Sequence, residues 1–320
     1  MIPARTVIGT RGSQLALWQA NHVRNELRKL HPRASIEIEI IKTTGDAVLD
    51  APLSKIGSKG LFTKEIEDAL IEHRIDLAVH SLKDVPTMLP AGLTLGAVTR
   101  REDVRDVFVA HPARPPLTID DLPEGATIAT GSLRRKCQLL RWRPDLRIVD
   151  LRGNLNTRLA KLDHSDWHGI ILAKAGVVRL GAGHRITQTI PAERILPAVG
   201  QGALGIEVRE HDDDVMNLVK PLNSEATMIS TNGERALLRV LEGGCQVPIG
   251  AYGRIEDGCF LLDGMIGSLD GKKIVRGAVH GEPVQSVALG EQLAMVLLES
   301  GGREVLERVR NPEPEKVPDA

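Results

Sequence analysis

Apolar residues recur along this chain with two periods, and the periods alternate. Val7–Gly9 predicts a short strand and Ser13 an N-cap; Leu15, Trp18, Val23, Leu27 and Leu30 then fall on one stripe of a helix over Gln14–Leu30. Ser35–Ile41 alternates strictly, with Ile36, Ile38 and Ile40 on one face and Glu37 and Glu39 on the other, the pattern of a half-buried strand. Phe62–His73 predicts a helix and Asp76–His80 a strand. After the charged stretch Arg100–Asp106 the same grammar returns: strand Thr127–Thr130, helix Ser132–Trp142, strand Arg147–Leu151, helix Asn154–Leu162, strand Gly169–Ala173. Two α/β units with helices on the sheet faces are the expectation.

Pro197–Gly205 (PAVGQGALG) suits a hinge or a close approach of backbone to ligand. Beyond about Asn223 the texture changes to a helix at Glu234–Leu241, Gly-punctuated strands at Ile249–Ile255, Phe260–Ile266 and Lys273–Val279, and an amphipathic helix at Val284–Leu298. That describes a small α+β domain. The tail Asn311–Ala320, with three prolines and mixed charge, is expected to be disordered.

Composition narrows the function classes. The 320 residues carry 41 Lys+Arg against 42 Asp+Glu, so the molecule is no polycation built to coat nucleic acid. Its aromatics are only Trp18, Trp142, Trp167, Tyr252, Phe62, Phe108 and Phe260, too few for a base-stacking platform. Three cysteines (Cys137, Cys245, Cys259) without a CxxC pair argue against a disulfide scaffold and suit a reducing compartment. No secretory signal pattern or long apolar run is visible, and a cytoplasmic protein without a membrane span is expected. The histidine spacings predict no metal site.

Charge clustering is the strongest chemical signal. Between Arg134 and Lys161 stand nine basic residues, seven of them arginine, against Asp145 and Asp150. Arginine suits forked recognition of carboxylate or phosphate. Thr130-Gly131-Ser132 joins a strand to a helix, which puts Arg134 and Arg135 at a helix N-terminus, and Arg152-Gly153-Asn154 repeats the arrangement. Arg141, Arg143 and Arg147 read better as a solvated basic face. Arg11, Lys55, Lys59, Lys64 and Lys83 form a second cluster, Arg11 again directly after a strand. Cations at strand ends in two α/β units suggest one polyanionic ligand in a cleft between them. At roughly 1.5–3 kcal/mol per charge-assisted hydrogen bond, so many arginines make sense only for a ligand with several negative groups.

Two further residues stand out. Asp84, beside Lys83 at a strand end, reads either as a loop ion pair or as an acid that stabilises transient positive charge and moves protons. Cys245, in Leu241-Glu242-Gly243-Gly244-Cys245-Gln246-Val247-Pro248, sits on a glycine-cleared loop, whereas Cys137 and Cys259 fit inert core positions.

Seven segments, in order, resemble the porphobilinogen deaminase (hydroxymethylbilane synthase) family: Gly9–Ala16, Lys59–Phe62, His80–Pro86, Gly131–Arg135, Leu151–Asn154, Pro197–Ala203 and Leu241–Gly250. The resemblance implies two α/β domains similar to periplasmic binding proteins plus a small C-terminal α+β domain. Its implied boundaries are 1–101 with 200–221, then 102–199, then 222–310, with 311–320 as tail. It also implies a dipyrromethane cofactor joined by thioether to Cys245, onto which four porphobilinogens are condensed with loss of ammonia before 1-hydroxymethylbilane is released by water. Each pyrrole carries an acetate and a propionate, which is the polyanion the arginines call for. By motif, Asp84 is implied as the catalytic residue, and Ser81, Lys83, Thr130, Ser132, Arg134, Arg135 and Arg152 as cofactor-binding with Cys245. Arg11, Arg152, Arg158 and Arg179 are implied to grip substrate, and Lys55, Lys59 and Phe62 to belong to a flap. The resemblance implies a monomer acting on a small molecule, with no nucleic-acid or membrane partner.

Two positions depart from the family pattern: Asn223-Ser224-Glu225-Ala226-Thr227 at the start of the third domain, and Lys174 after the Ile171-Leu172-Ala173 strand. A non-catalytic two-lobed receptor for a small polyanion would share lobes, hinge and basic cleft, but has no use for Cys245. An RNA-binding module built on Arg134–Lys161 is disfavoured by the near-neutral total charge and the lack of interleaved aromatics.

Overall fold

The computed structural model describes residues 3–47, 60–241 and 247–311. Strands β1 (Arg5–Thr10), β2 (Ser35–Ile40), β3 (Leu77–Ser81) and β4 (Leu93–Val98) join β10 (Leu204–Arg209) in a sheet of order β2-β1-β3-β10-β4. A second sheet takes β5 (Asp106–Ala110), β6 (Thr127–Ala129), β7 (Arg147–Val149), β8 (Gly169–Ala173) and β9 (Gln188–Thr189) in the order β7-β6-β8-β5-β9. The two sheets share one topology. In each, the first three strands are parallel, and the fourth, which is the first strand after the chain crosses over from the other unit, runs antiparallel to both neighbours. Neither sheet is complete without the crossing chain, and this is the two-lobed α/β arrangement expected from the sequence.

Helices cover the sheets where the apolar stripes predict. α1 spans Gln14–Leu30, with Ser13 accepting from the Ala16 N–H at 3.3 Å and Val23 and Leu27 buried. Next come α2 (Lys64–Ile71), α3 (Leu133–Trp142), α4 (Leu155–Asp163), α5 (Lys174–Arg179) and α6 (Asp213–Val219). Ser132 and Asn154 cap α3 and α4, satisfying N–H groups that the first helical turn leaves open.

The two crossings lie side by side. Glu102 N–H donates to the Gly202 carbonyl at 3.2 Å, Thr99 N–H to Leu204 at 3.0 Å, and the Arg101 Nε–H to Gln201 at 2.8 Å. Gly202 has φ +93°, and a Cβ there would stand 2.5 Å from the Glu102 carbonyl oxygen, so the glycine lets the two segments meet. Pro197–Gly205 therefore contains the second crossing.

The third unit packs α7 (Glu225–Val240) and α8 (Ser286–Leu297) on an antiparallel sheet of β11 (Ile249–Glu256), β12 (Cys259–Gly267) and β13 (Ile274–Gly281), followed by α9 (Arg303–Arg310). Helix α7 starts nine residues before the predicted Glu234, because its first half (EATMISTNG) is polar and contains a glycine. Ser224 caps it, Asn223 accepts from the Val98 N–H at 2.9 Å and Thr227 from the Arg101 N–H at 3.2 Å, so the departing segment docks the third unit directly. Strands β4, β5 and β10 and helix α9 were not legible from periodicity. Ile40, predicted on a buried face, ends edge strand β2 and is 56% exposed. The tail from residue 312 lies outside the described residues.

Candidate active site

The sequence places its chemistry where parallel strands end and helices begin, and the fold turns those ends toward one another. β3 runs into a 3-10 turn, Leu82–Asp84, which exposes Lys83 and Asp84 at the cleft. Arg11 follows β1; its guanidinium stacks 4.2 Å over the Phe62 ring. Arg11, Ser13, Gln19, Phe62, Ser81 and Asp84 share in lining a cavity of about 70 Å³. Ser81 Oγ accepts from Gln19 Nε2 at 2.8 Å, so a buried glutamine fixes that hydroxyl.

From the second unit, α3, α4 and the loop before α4 present Arg135, Arg158 and Arg152 to the same space. Lys83 reaches the water of the cleft, yet protein atoms crowd it. That desolvation pushes its amine down to about 8, with Asp84 opposing the shift and Arg135 and Arg158 among its other influences. Burial likewise lowers Arg158 to about 10, Arg135 and Arg152 adding to the effect and Asp84 opposing it. Three guanidiniums and an amine thus press on each other around one cleft carboxylate. Among the described residues Asp84 makes no hydrogen bond or ion pair. Arg152 Nη1 and Arg135 Nε are buried without a hydrogen-bond partner. Such atoms are costly to leave unpaired, and an anionic ligand is what would complete them.

Arg134 and Arg135 do not simply face a ligand. Arg134 Nη2 reaches Asp106 Oδ2 at 2.9 Å and Arg135 Nη2 reaches Oδ1 at 2.8 Å, while their Nη1 groups donate to the carbonyls of Leu196 (2.6 Å) and Ile171 (3.1 Å). Asp106 is fully buried. Burial alone would raise its carboxyl, but the two guanidiniums override it and hold the group well below the usual range. Gln201 Nε2 joins at 2.9 Å, which ties the second crossing to this hub. Thr130, also buried, accepts from the Ser132 N–H at 3.3 Å.

Arg179 donates to the Gly202 carbonyl at 2.7 Å and lies 5.7 Å from the Trp18 ring centroid, bridging α5, the second crossing and α1. Lys174 pairs with Asp103 at 2.8 Å beside the first crossing rather than adding a cation to the cleft. Arg143 holds the carbonyls of Ile119 and Leu122 and the Asp145 carboxylate, while Arg141 and Arg147 are exposed. Cys137 is buried, which pushes its thiol up to about 12, and Cys259 lies in β12. Cys245, Lys55 and Lys59 lie outside the described residues.

The third unit is keyed to the two crossings. Glu234, fully buried, accepts from Arg101 Nη1 and Nη2 at 2.6 and 3.1 Å and from the N–H groups of Gly200 and Gly253, each at 2.7 Å.

A family sequence model described as porphobilinogen deaminase, dipyromethane cofactor binding domain, matches residues 6–217, and one for the porphobilinogen deaminase C-terminal domain matches residues 229–299. The chain belongs to the porphobilinogen deaminase family. The porphobilinogen deaminase of Chlorobium phaeobacteroides is 50% identical over 310 residues, 96% of this chain and 98% of that protein. That of Syntrophobacter fumaroxidans is 48% identical over 302 residues, 94% of this chain and 97% of its own. Among solved structures, the Escherichia coli periplasmic aliphatic sulphonate binding protein SsuA has a TM-score of 0.41 at 14% identity, covering 99% of this chain and 95% of that one. As a porphobilinogen deaminase, the chain has a dipyrromethane-binding domain. No helix among the described residues is long and apolar enough to cross a membrane. Sequence reasoning missed Asp106, Gln19, Gln201 and Glu234, whose partners lie far away in sequence and leave no local pattern.

Proposed function

We propose that this transferase joins porphobilinogen units head to tail onto a dipyrromethane anchored by thioether to Cys245, losing ammonia at each step, and releases 1-hydroxymethylbilane by hydrolysis. The observation that carries the residue assignment is the Asp84 carboxylate, without a side-chain partner among the described residues, inside a surplus of cations, with buried Arg152 and Arg135 nitrogens still open. A ligand that bears an acetate and a propionate on every ring fits that donor set. When bound, the dipyrromethane supplies a tethered pyrrole with a free, nucleophilic α-carbon.

The chain's own residues do the rest. Ser81, Lys83, Thr130, Ser132 and Arg135 would hold the anchored rings, with Arg134 acting from behind through Asp106. Arg11, Arg152, Arg158 and Arg179 would orient the carboxylates of each arriving unit, and Phe62, with Lys55 and Lys59, would cover it. Asp84 would sit at the pyrrole N–H groups, where its negative charge stabilises the cation left by departing ammonia and its oxygens take and return protons. We take residues 1–101 with 200–221, 102–199 and 222–310 as the three domains, and infer a cytoplasmic monomer, in keeping with the free thiols Cys137 and Cys259.

Intact mass of the denatured protein tests the reading. It should exceed the sequence mass by two linked pyrroles, and incubation with porphobilinogen should give stepwise heavier species. A bare polypeptide that binds porphobilinogen reversibly would overturn it.

A further inference from the structure

Three titratable side chains beside the Asp84 cavity have no part in the reading above. β3 and β10 run antiparallel, pairing His80 with Gly205 and Ala78 with Glu207, so His80 and Glu207 share one face of the sheet. His80 Nε2 and Glu207 Oε2 are 3.0 Å apart, with Glu207 0% and His80 6% exposed. Glu67 comes from α2, is itself 6% exposed, and lies close enough that both partners act on its charge. Burial raises the Glu67 carboxyl; the Thr63 hydroxyl opposes this, Glu207 adds to it, and the net direction is upward. Glu67 Oε1 and Glu207 Oε1 are buried without a hydrogen-bond partner.

Two carboxylates and one imidazole out of water are stable only when protons balance them. The Arg235 guanidinium bears on the Glu207 charge, and the Glu67 carboxyl, raised by burial and by Glu207, is the place in the cluster where a proton belongs. Its outlet is visible: His80 and Asp84 line the same cavity, together with Arg11 from the loop after β1. The charged or titratable groups facing the cluster are thus Glu207 from β10, Glu67 from α2 with Asp68 beyond it, Arg11, Asp84, and Arg235 from α7, whose charge bears on Glu207.

We propose that His80, Glu207 and Glu67 form a buried proton store behind Asp84, which gives a proton to each departing ammonia and is refilled by the proton set free when the new ring is joined. The inference rests on the function proposed above. Each condensation breaks one methylene C–N bond and one pyrrole α-C–H bond and forms one C–C bond. The C–N electron pair leaves with ammonia, which takes the store's proton through Asp84 and departs as ammonium; the C–H pair becomes the new bond, and the proton it leaves behind passes through Asp84 to refill the store. The store ends each cycle as it began. His80, Glu207 and Glu67 act through Asp84, so they are positioning residues.

The test compares wild-type holoenzyme with Glu67→Gln, which keeps the shape of a protonated glutamate but cannot exchange its proton. Infrared difference spectra at neutral pH should show a protonated carboxyl band in wild type that Glu67→Gln lacks. In the variant kcat should fall by about 10²-fold with KM unchanged, and the acid limb of the kcat profile should shift. Absence of the band in wild type overturns the store. So does a variant with normal kcat, or one reduced equally at every pH. Should Glu67→Gln not fold, infrared titration of wild type alone decides, because the band must still be present. Wild type that makes the bilane normally but lacks the band sinks the store alone, whereas wild type without the two-pyrrole mass excess sinks the underlying function.

Discussion

Arg235 Nη1 donates at 3.1 Å to the carbonyl of Val85, the residue that follows Asp84. Its Nη2 reaches the next carbonyl, Pro86, at 2.7 Å, and the side chain is buried. Helix α7 therefore grips the Asp84 turn at one point and ends at Val240, five residues before Cys245 in sequence. The proposed acid and the proposed anchor fall in different units, and the helix that holds the Asp84 turn leads in sequence to the Cys245 segment.

Asp84→Asn should leave the two-pyrrole mass excess and the fold intact while slowing condensation by about 10²–10⁴-fold, since the amide keeps the shape and loses the charge. Intact mass and bilane formation measured on the same sample check this. Wild-type turnover would remove Asp84 from the chemistry.

Arg152→Leu removes a guanidinium whose Nη1 is buried and unpartnered. With a charge-assisted bond worth about 1.5–3 kcal/mol, binding of the arriving unit should weaken by about 10–100-fold. Native mass spectrometry should then show partly elongated species accumulating; an unchanged distribution would return Arg152 to a structural role.

Asp106→Asn leaves Arg134 and Arg135 buried without their counter-charge, so denaturant unfolding at neutral pH should show a loss of about 3–5 kcal/mol. The pH dependence has a fixed sign. The folded carboxyl titrates below its unfolded value, so its contribution is present above about pH 4 and lost as pH falls below that. The variant should be less sensitive to acid in that window than wild type.

Lys83 titrates at about 8, so its positive charge is present below that pH and lost above it. Condensation should slow as pH rises through about 8 and the anchored rings lose that contact, and Lys83→Arg should flatten this step while keeping the two-pyrrole mass excess. A wild-type turnover independent of pH across that window would exclude Lys83 from holding the anchored carboxylates.

Cys245→Ala should abolish the mass excess. Cys137, with its thiol pushed up to about 12 by burial, should resist alkylation in the folded protein. Rapid native labelling at Cys137 would contradict its buried placement.

Local signals carried the sequence reading well. Ser13, Ser132 and Asn154 announced helix starts because capping is a contact over three residues, and the apolar run Gly169–Ala173 announced a buried strand. The cleft was legible because its cations sit at strand ends. What stayed hidden is non-local. Nothing near Asp106 in sequence says that Arg134 and Arg135, 28 and 29 residues on, will close on it. Strand β10 follows a glycine-rich crossing whose conformation obscures where regular structure resumes. Arg143 looked like a surface charge, since its carbonyl partners at Ile119 and Leu122 come from the other side of the unit.

The crossing of the chain through both sheets bears on how the molecule is made. β3 and β4 are bridged only by β10, so a nascent chain that has emerged as far as Thr189 still holds two open edges where the central antiparallel strand belongs. Unpaired edges of that kind invite intermolecular pairing. On the ribosome the amino-terminal lobe must therefore wait, half built, until the whole of its neighbour has been translated, and any stall before Leu204 strands it in its most aggregation-prone form.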